Sequence, residues 1–304
     1  MTSWTEEIKR EFRVANVVTR LIMVNAVVFV LTLLLQIVLN FAYVNRMDAQ
    51  MAFVDIISWI AAPYDLGELA YKPWTVVTHL FLHYDFWHLL FNMIFLYFFG
   101  RILLDVIGNK RIVGLYMYGG IASFGLTVLT SYMFPHVVDG SRLVGASGSL
   151  FAFVITAMVM APNYSVNLVL IGPVKVKYLA LLTIVLSLMS MARMDNMGGN
   201  VAHAGGALFG LIFSLQLKKG RDLTTGFNQW WEAIENFFSG KRRTRMKVSR
   251  GHVKPKPVSD EDYNLMKKRR QQEMDAILDK ISRSGYESLS REEKDKLFRY
   301  SQET

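Results

Sequence analysis

From Leu21 to Leu39 the chain runs almost without polarity, broken only by Asn25, Thr32 and Gln36. A hydrocarbon layer offers no partner for a bare backbone, so a run of this length is expected to cross a bilayer as a helix that satisfies its own N–H and C=O groups. Apolar runs return at His88–Ile107, Ile112–Phe134, 178–192 and Val201–Leu217. A shorter one, Ser147–Ala161, is ended by Pro162. With 52% hydrophobic residues and a mean hydropathy of +0.25 over 304 residues, the chain reads as an all-α polytopic membrane protein with six transmembrane helices.

Charge orients this bundle. Residues 1–20 are polar and basic, and the run after them is too long, and lacks the small-residue cleavage site, for a removed signal peptide. The expectation is a cytoplasmic N-terminal segment followed by a first span. Six crossings then place Lys110, Arg111, Lys175, Lys177 and Lys218 on the same side, as the positive-inside tendency requires, with both termini cytoplasmic. Within the core, 21–217, the stretch at about 44–87 is unusually aromatic and is expected to lie at the membrane interface. Residues 218–259 read as a basic linker and 260–304 as a helical hairpin, with helices near 260–282 and 291–301. Gly285 supplies the turn, and Ser290 with Glu293 forms a capping box. The net charge of +9 and the run Lys241–Arg245 favour anionic lipid as a partner. No nucleic acid is expected, because aromatic residues are not interleaved with those cations. The chain has no cysteine, which excludes disulfides, thiolate nucleophiles and cysteine metal sites.

Three constellations can carry chemistry. In Gly145-Ala146-Ser147-Gly148 a hydroxyl sits between glycines at the head of the short apolar run. If a helix starts there, its free N–H groups lie beside a potential nucleophile; alternatively Ser147 is only the helix cap. His203 lies inside the last run, where an ionisable side chain is costly and therefore a functional candidate. Gly206 and Gly210 share one helix face there and permit close contact, so His203 can meet Ser147 as a serine–histidine dyad if the fourth and sixth helices pack together. The plainer reading is an interhelical histidine bonded for structural reasons. The third constellation is His79-x3-His83-x4-His88-x3-Asn92. His88 and Asn92 are one helical turn apart, and their N–H groups can hold an oxyanion. His79 and His83 are also four apart, the spacing of a metal pair, but no glutamate follows His79 and no cysteine is available, so no metal or other cofactor is expected. No acidic residue stands near either site in the expected spans, and Ser149 breaks the G-x-S-x-G elbow.

Together these residues resemble the rhomboid intramembrane serine proteases. The likeness covers about residues 15–217 and rests on His79/His83/His88/Asn92, on Gly145-Ala146-Ser147-Gly148, and on Ala202-His203-Ala204-Gly205-Gly206 with Gly210, in that order. It implies a six-helix rhomboid bundle in a bacterial inner membrane. It also implies Ser147 as nucleophile, His203 as base, and His88, Asn92 and the Ser147 N–H as the oxyanion hole. Phe151 takes the place of an aromatic ring packed on the base, supported by Gly145, Gly148, Gly206 and Gly210. The implied substrates are transmembrane proteins cut in or near their membrane segments. A catalytically inactive rhomboid-like scaffold that binds transmembrane helices is the alternative. Two positions depart from the pattern: Thr75 follows Trp74 where many members have arginine, and Asp105 stands where many have glutamate.

Overall fold

The computed structural model describes residues 14–138, 142–168, 171–238 and 260–301. Lys9, Arg10 and Arg13, the connection at 139–141, and the basic run Lys241–Arg245 with the Pro/Lys linker lie outside the described residues.

Helix α1 (Val17–Ala42) starts four residues before the apolar run, because the Asn16 carboxamide accepts from the Thr19 N–H and caps it. The polar break at Asn25 is answered inside the protein. Its amide donates to the Leu21 carbonyl (2.8 Å) and to Tyr116 Oη (3.4 Å), and Tyr116 donates to the Leu80 carbonyl (2.9 Å). A buried amide and phenol thereby tie the first span to the bundle with their protons placed, while the Asn25 amide oxygen has no partner among the described residues.

The aromatic stretch that follows is folded rather than loose. It contains α2 (Arg46–Ile57), β1 (Ala62–Pro63), α3 (Leu66–Tyr71), α4 (Thr75–Thr78) and a 3-10 turn at His79–Phe81. Asn45 and Asp65 cap α2 and α3. Trp59 and Trp74 stack 10° from parallel with centroids 6.1 Å apart, and the Lys72 ammonium lies 4.7 Å above the Trp59 ring. Thr75 brings no guanidinium to this loop; Arg142 does. It leaves β2 (Arg142–Leu143), which pairs antiparallel with β1, and donates to both carboxylate oxygens of Glu68 at 2.8 and 2.9 Å. The Lys72 hydrogen bond and then Arg142 hold the Glu68 carboxyl below its ordinary range.

The remaining membrane core comprises α5 (Phe86–Ile107), α6 (Asn109–Met133), α7 (Ser147–Met160), the hairpin β3–β4 (Ser165–Leu168, Gly172–Lys175), α8 (Val176–Ala192) and α9 (Met197–Lys218). Helices α1, α5, α6 and α9 are long and apolar enough to cross a bilayer; α7 and α8 are apolar but shorter. The chain is a multi-pass membrane protein with an all-α bundle. Two boundaries differ from the sequence reading. Helix α9 begins a turn before the apolar run, since the Asn196 side chain accepts from Gly199 N, so the polar stretch 193–200 is only partly a loop. The segment read as linker contains a further helix, α10 (Thr225–Phe238), whose Phe227 ring meets Tyr118 at 5.9 Å. It is fastened by the Arg111–Asp222 ion pair (2.7 Å) and by Thr224, which donates twice to Asp222.

The centre of the bundle is built from missing side chains. A Cβ on Gly206 would run into the carbonyl of Gly148, one on Gly210 into Ala152, and one on Gly148 into Ser123. Helix α9 therefore touches α7, and through Gly205 also α6, backbone to backbone, while α6 meets Gly148 of α7 through the small Ser123 side chain; lipid-embedded helices favour such packing where no hydrophobic effect drives them together. Around this contact lie the fully buried Tyr116, Phe153 and Phe213.

The chain divides between Arg242 and Arg243 into two compact units. In the second, α11 (Asp260–Ser284) turns at Gly285 (φ +77°) into α12 (Arg291–Ser301). The capping box is formed: Ser290 N donates to Glu293 Oε2 (2.7 Å) and Glu293 N donates to Ser290 Oγ (3.3 Å). Ile277 and Leu289 are its buried apolar contacts.

Candidate active site

Ser147 is the first residue of α7, and the N-cap position falls to Ala146, which makes no side-chain cap bond. The hydroxyl is thus not spent on capping, and among the described residues it has no hydrogen-bond partner. The turn into α7 depends on Gly145. Its φ of +117° is open to glycine, and a Cβ there would come within 2.9 Å of the His88 ring atoms Cε1 and Nε2. Its N–H donates to the His79 carbonyl (2.9 Å), which joins the turn to the histidine-bearing segment.

A cavity of about 310 Å³ opens beside Ser147. Helix α5 contributes His88, Phe91, Asn92 and Phe95; α7 contributes Ser147, Leu150, Phe151 and Val154; Thr183, Asn196 and His203 complete it. The four polar residues singled out in the sequence therefore share one cavity, although they come from three separated segments. His203 lies flat on Phe151, with centroids 4.1 Å apart and planes 11° from parallel. Asn92 donates one amide N–H to the His88 carbonyl (2.7 Å), which fixes the carboxamide while leaving its second N–H. Asp85 caps α5 by accepting from His88 N (2.9 Å). Ser149 points elsewhere: it is fully buried, and a Cβ on Gly120 of α6 would lie 2.6 Å from its Oγ.

His79 and His83 do not form a helical i, i+4 pair. The turn at His79–Phe81 is 3-10, and Leu82 is extended (φ −83°, ψ 144°). His79 is fully buried, with Nδ1 2.8 Å from the Thr75 carbonyl. His83 is buried with its ring 5.0 Å from that of His88. Burial pushes both imidazoles down to about 4, and neighbouring His88 adds to the effect on His83. Among the described residues, no three His, Asp or Glu side chains are grouped to hold a metal. Sequence alone does not single out Ser187, which reaches His203 from α8, or Asn200, which lies one turn earlier in α9 and reaches Ser187. Ser187 Oγ lies 3.1 Å from His203 Nδ1 and donates to Asn200 Oδ1 at 3.3 Å.

Residues 70–219, which hold all of these groups, match the Rhomboid domain. The chain belongs to the rhomboid family. It is 28% identical over 158 residues to the RHOMBOID-like protein 12, mitochondrial, of Arabidopsis thaliana, covering 48% of this chain and 47% of that one. It is 27% identical over 97 residues to the rhomboid protease GlpG of Klebsiella pneumoniae, 32% of each chain. Over 146 residues it is 28% identical to the presenilin-associated rhomboid-like protein A, mitochondrial, of Danio rerio, covering 45% and 36%. The matched stretches thus span less than half the length of these relatives. Residues 259–303 match a separate family of unknown function, DUF6576. The rhomboid domain ends before that hairpin, just beyond α9.

In this rhomboid the two departures have local answers. Asp105 accepts from Tyr164 Oη (3.2 Å), joining α5 to the segment after α7, and the guanidinium absent at Thr75 is supplied to Glu68 by Arg142.

Proposed function

We propose that this rhomboid is a serine endopeptidase that hydrolyses peptide bonds in or near the membrane segments of transmembrane proteins. The observation that carries this reading is the single cavity shared by Ser147, His203, His88 and Asn92. Ser147 Oγ attacks the scissile carbonyl carbon while His203 Nε2 takes its proton. The resulting oxyanion lies against the His88 ring N–H, the free N–H of Asn92 and the backbone N–H of Ser147 at the start of α7. The C–N bond then breaks as His203 returns the proton to the leaving amine. Water, deprotonated by the same imidazole, attacks the acyl ester and releases Ser147. Phe151 holds the base in plane, and Gly145, Gly148, Gly206 and Gly210 set the approach of the elements that carry the two partners.

In this reading the apolar helices make six crossings with both termini on the cytoplasmic side of a bacterial inner membrane. The stretch 44–87 lies at the membrane interface, and membrane lipids surround the bundle. The test is cleavage of a single-span substrate in proteoliposomes by the wild type and by Ser147→Ala. Cleavage by the wild type alone supports the reading. Equal cleavage by both sinks it, and no cleavage by either across a panel of substrates favours a scaffold that only binds helices.

A further inference from the structure

Ser187 and Asn200 have no part in the steps above, yet they belong to a hydrogen-bond chain that ends on the base. The chain starts at an atom that can only accept, the backbone carbonyl oxygen of Asp195. Asn200 Nδ2 lies 2.6 Å from it, so the amide nitrogen faces Asp195. The same nitrogen donates to Ser190 Oγ (2.9 Å), whose own hydroxyl donates to the Asp195 carbonyl (3.2 Å). With the nitrogen fixed, the amide oxygen is the atom 3.3 Å from Ser187 Oγ. That oxygen also only accepts, so the single Ser187 proton goes to it. The hydroxyl then has only lone pairs to offer His203 Nδ1, 3.1 Å away. The contact is a hydrogen bond when Nδ1 carries the proton, and Nε2 is then the nitrogen with the free lone pair.

We propose that Ser187 and Asn200 are positioning residues that hold His203 as the Nδ1–H tautomer and fix the rotation of its ring. They would do without charge what the carboxylate does in a serine–histidine–aspartate triad. The inference rests on the reading of His203 as base. Asn200 is 4% exposed, which limits the competition of water for its amide, and it shares α9 with His203, so both move as one element. Phe151 restrains the plane of the ring from α7 while Ser187 restrains its turn within that plane from α8. When the imidazole takes up the Ser147 proton, the Nδ1–H bond becomes charge-assisted and strengthens.

The experiment uses the full chain labelled with ¹⁵N-histidine in micelles, with the His203 signals assigned by their loss in His203→Gln. The wild type is expected to show Nδ1 protonated and Nε2 bearing the lone pair; Ser187→Ala mixes the tautomers and Ser187→Thr restores them. In proteoliposomes Ser187→Ala lowers kcat roughly 10- to 100-fold, the range of a hydrogen bond to a charged group, with KM and the thermal midpoint unchanged. Ser187→Thr recovers kcat and the equally branched Ser187→Val does not, an outcome that packing alone would not give. A lone pair on Nδ1 in the wild type overturns the proposal, and so does a Ser187→Ala protein with unchanged tautomer and unchanged kcat. If the tautomer follows Ser187 but the wild type cuts no substrate, the positioning chain stands and the protease reading falls.

Discussion

The Phe151 ring lies flat against His203 with 4.1 Å between centroids and 11° between planes. Such a stack contributes about 0.5–1.5 kcal/mol beyond area burial. It acts on the side chain that the proposed mechanism makes the base, whose orientation proton transfer would require. Phe151→Leu is therefore expected to slow cleavage about 2- to 10-fold, and Phe151→Tyr to stay near wild type. Initial rates on one substrate decide it; a Leu variant at wild-type rate would remove the stack from the mechanism.

In the proposed mechanism Ser147 and His203 act on one proton, so their losses should not add. Ser147→Ala, His203→Ala and the double variant are expected to be about equally inactive. Asn92→Ala keeps two of the three proposed oxyanion donors and should lose about 100- to 1,000-fold in rate. A fluorophosphonate probe followed by peptide mapping should label Ser147, slowly in Asn92→Ala and not at all in Ser147→Ala. Recovery of the probe on Ser149 would reassign the nucleophile.

Gly206 meets the Gly148 carbonyl with no room for a methyl group. Gly206→Ala is expected to part α7 from α9 and to destabilise the bundle by about 1–3 kcal/mol, the usual cost of overpacking. Thermal unfolding in detergent reads the loss. Gly226→Ala is the control, since nothing lies within 4 Å of a Cβ there. Equal midpoints for the two variants would refute the contact.

Stability should fall with acidity. His79 and His83 titrate near 4 in the fold because they are buried, against about 6.5 in an unfolded chain. Between those values the unfolded chain binds protons that the folded one does not, so stability is full above pH 6.5 and declines towards pH 4. Each histidine contributes at most about 1.4 kcal/mol per pH unit. Midpoints measured from pH 7.5 to 4.5 should decline, less steeply in His83→Gln; a flat profile would falsify this.

The second unit has its own capped turn and its own buried Ile277 and Leu289. A chain ending at Arg242 is expected to keep the unfolding midpoint of the membrane core. A midpoint lowered by several degrees would show that residues 243–304 support the core.

The sequence made some of this site legible because polar atoms inside apolar runs are expensive. His203, His88 and Asn92 stand out on that ground, Ser147 because glycines flank it at the head of an apolar run, and Gly206 and Gly210 because their spacing puts both on one face. Ser187 did not stand out. A lone serine in a membrane helix can satisfy its hydroxyl on the carbonyl a turn earlier, so its presence signals nothing until a partner is seen. Asn200 falls in a stretch that hydropathy presents as a polar loop, because the cap at Asn196 is a side-chain event that hydropathy does not register. The Arg142–Glu68 pair joins positions far apart in the chain and left no pattern to read. Helix α10 was hidden within a basic segment, although Phe227, Trp230 and Trp231 form the aromatic side of an amphipathic helix.

The contact between Gly206 and Gly148 acts as a ruler. A spacing set by side chains drifts whenever a rotamer changes, but here backbone atoms of α7 and α9 are themselves the stops. A bilayer that thins or thickens can tilt these two helices together, yet it finds no hinge or compressible layer between them. The spacing of the two helices that carry Ser147 and His203 is thereby set by backbone rather than by side chains.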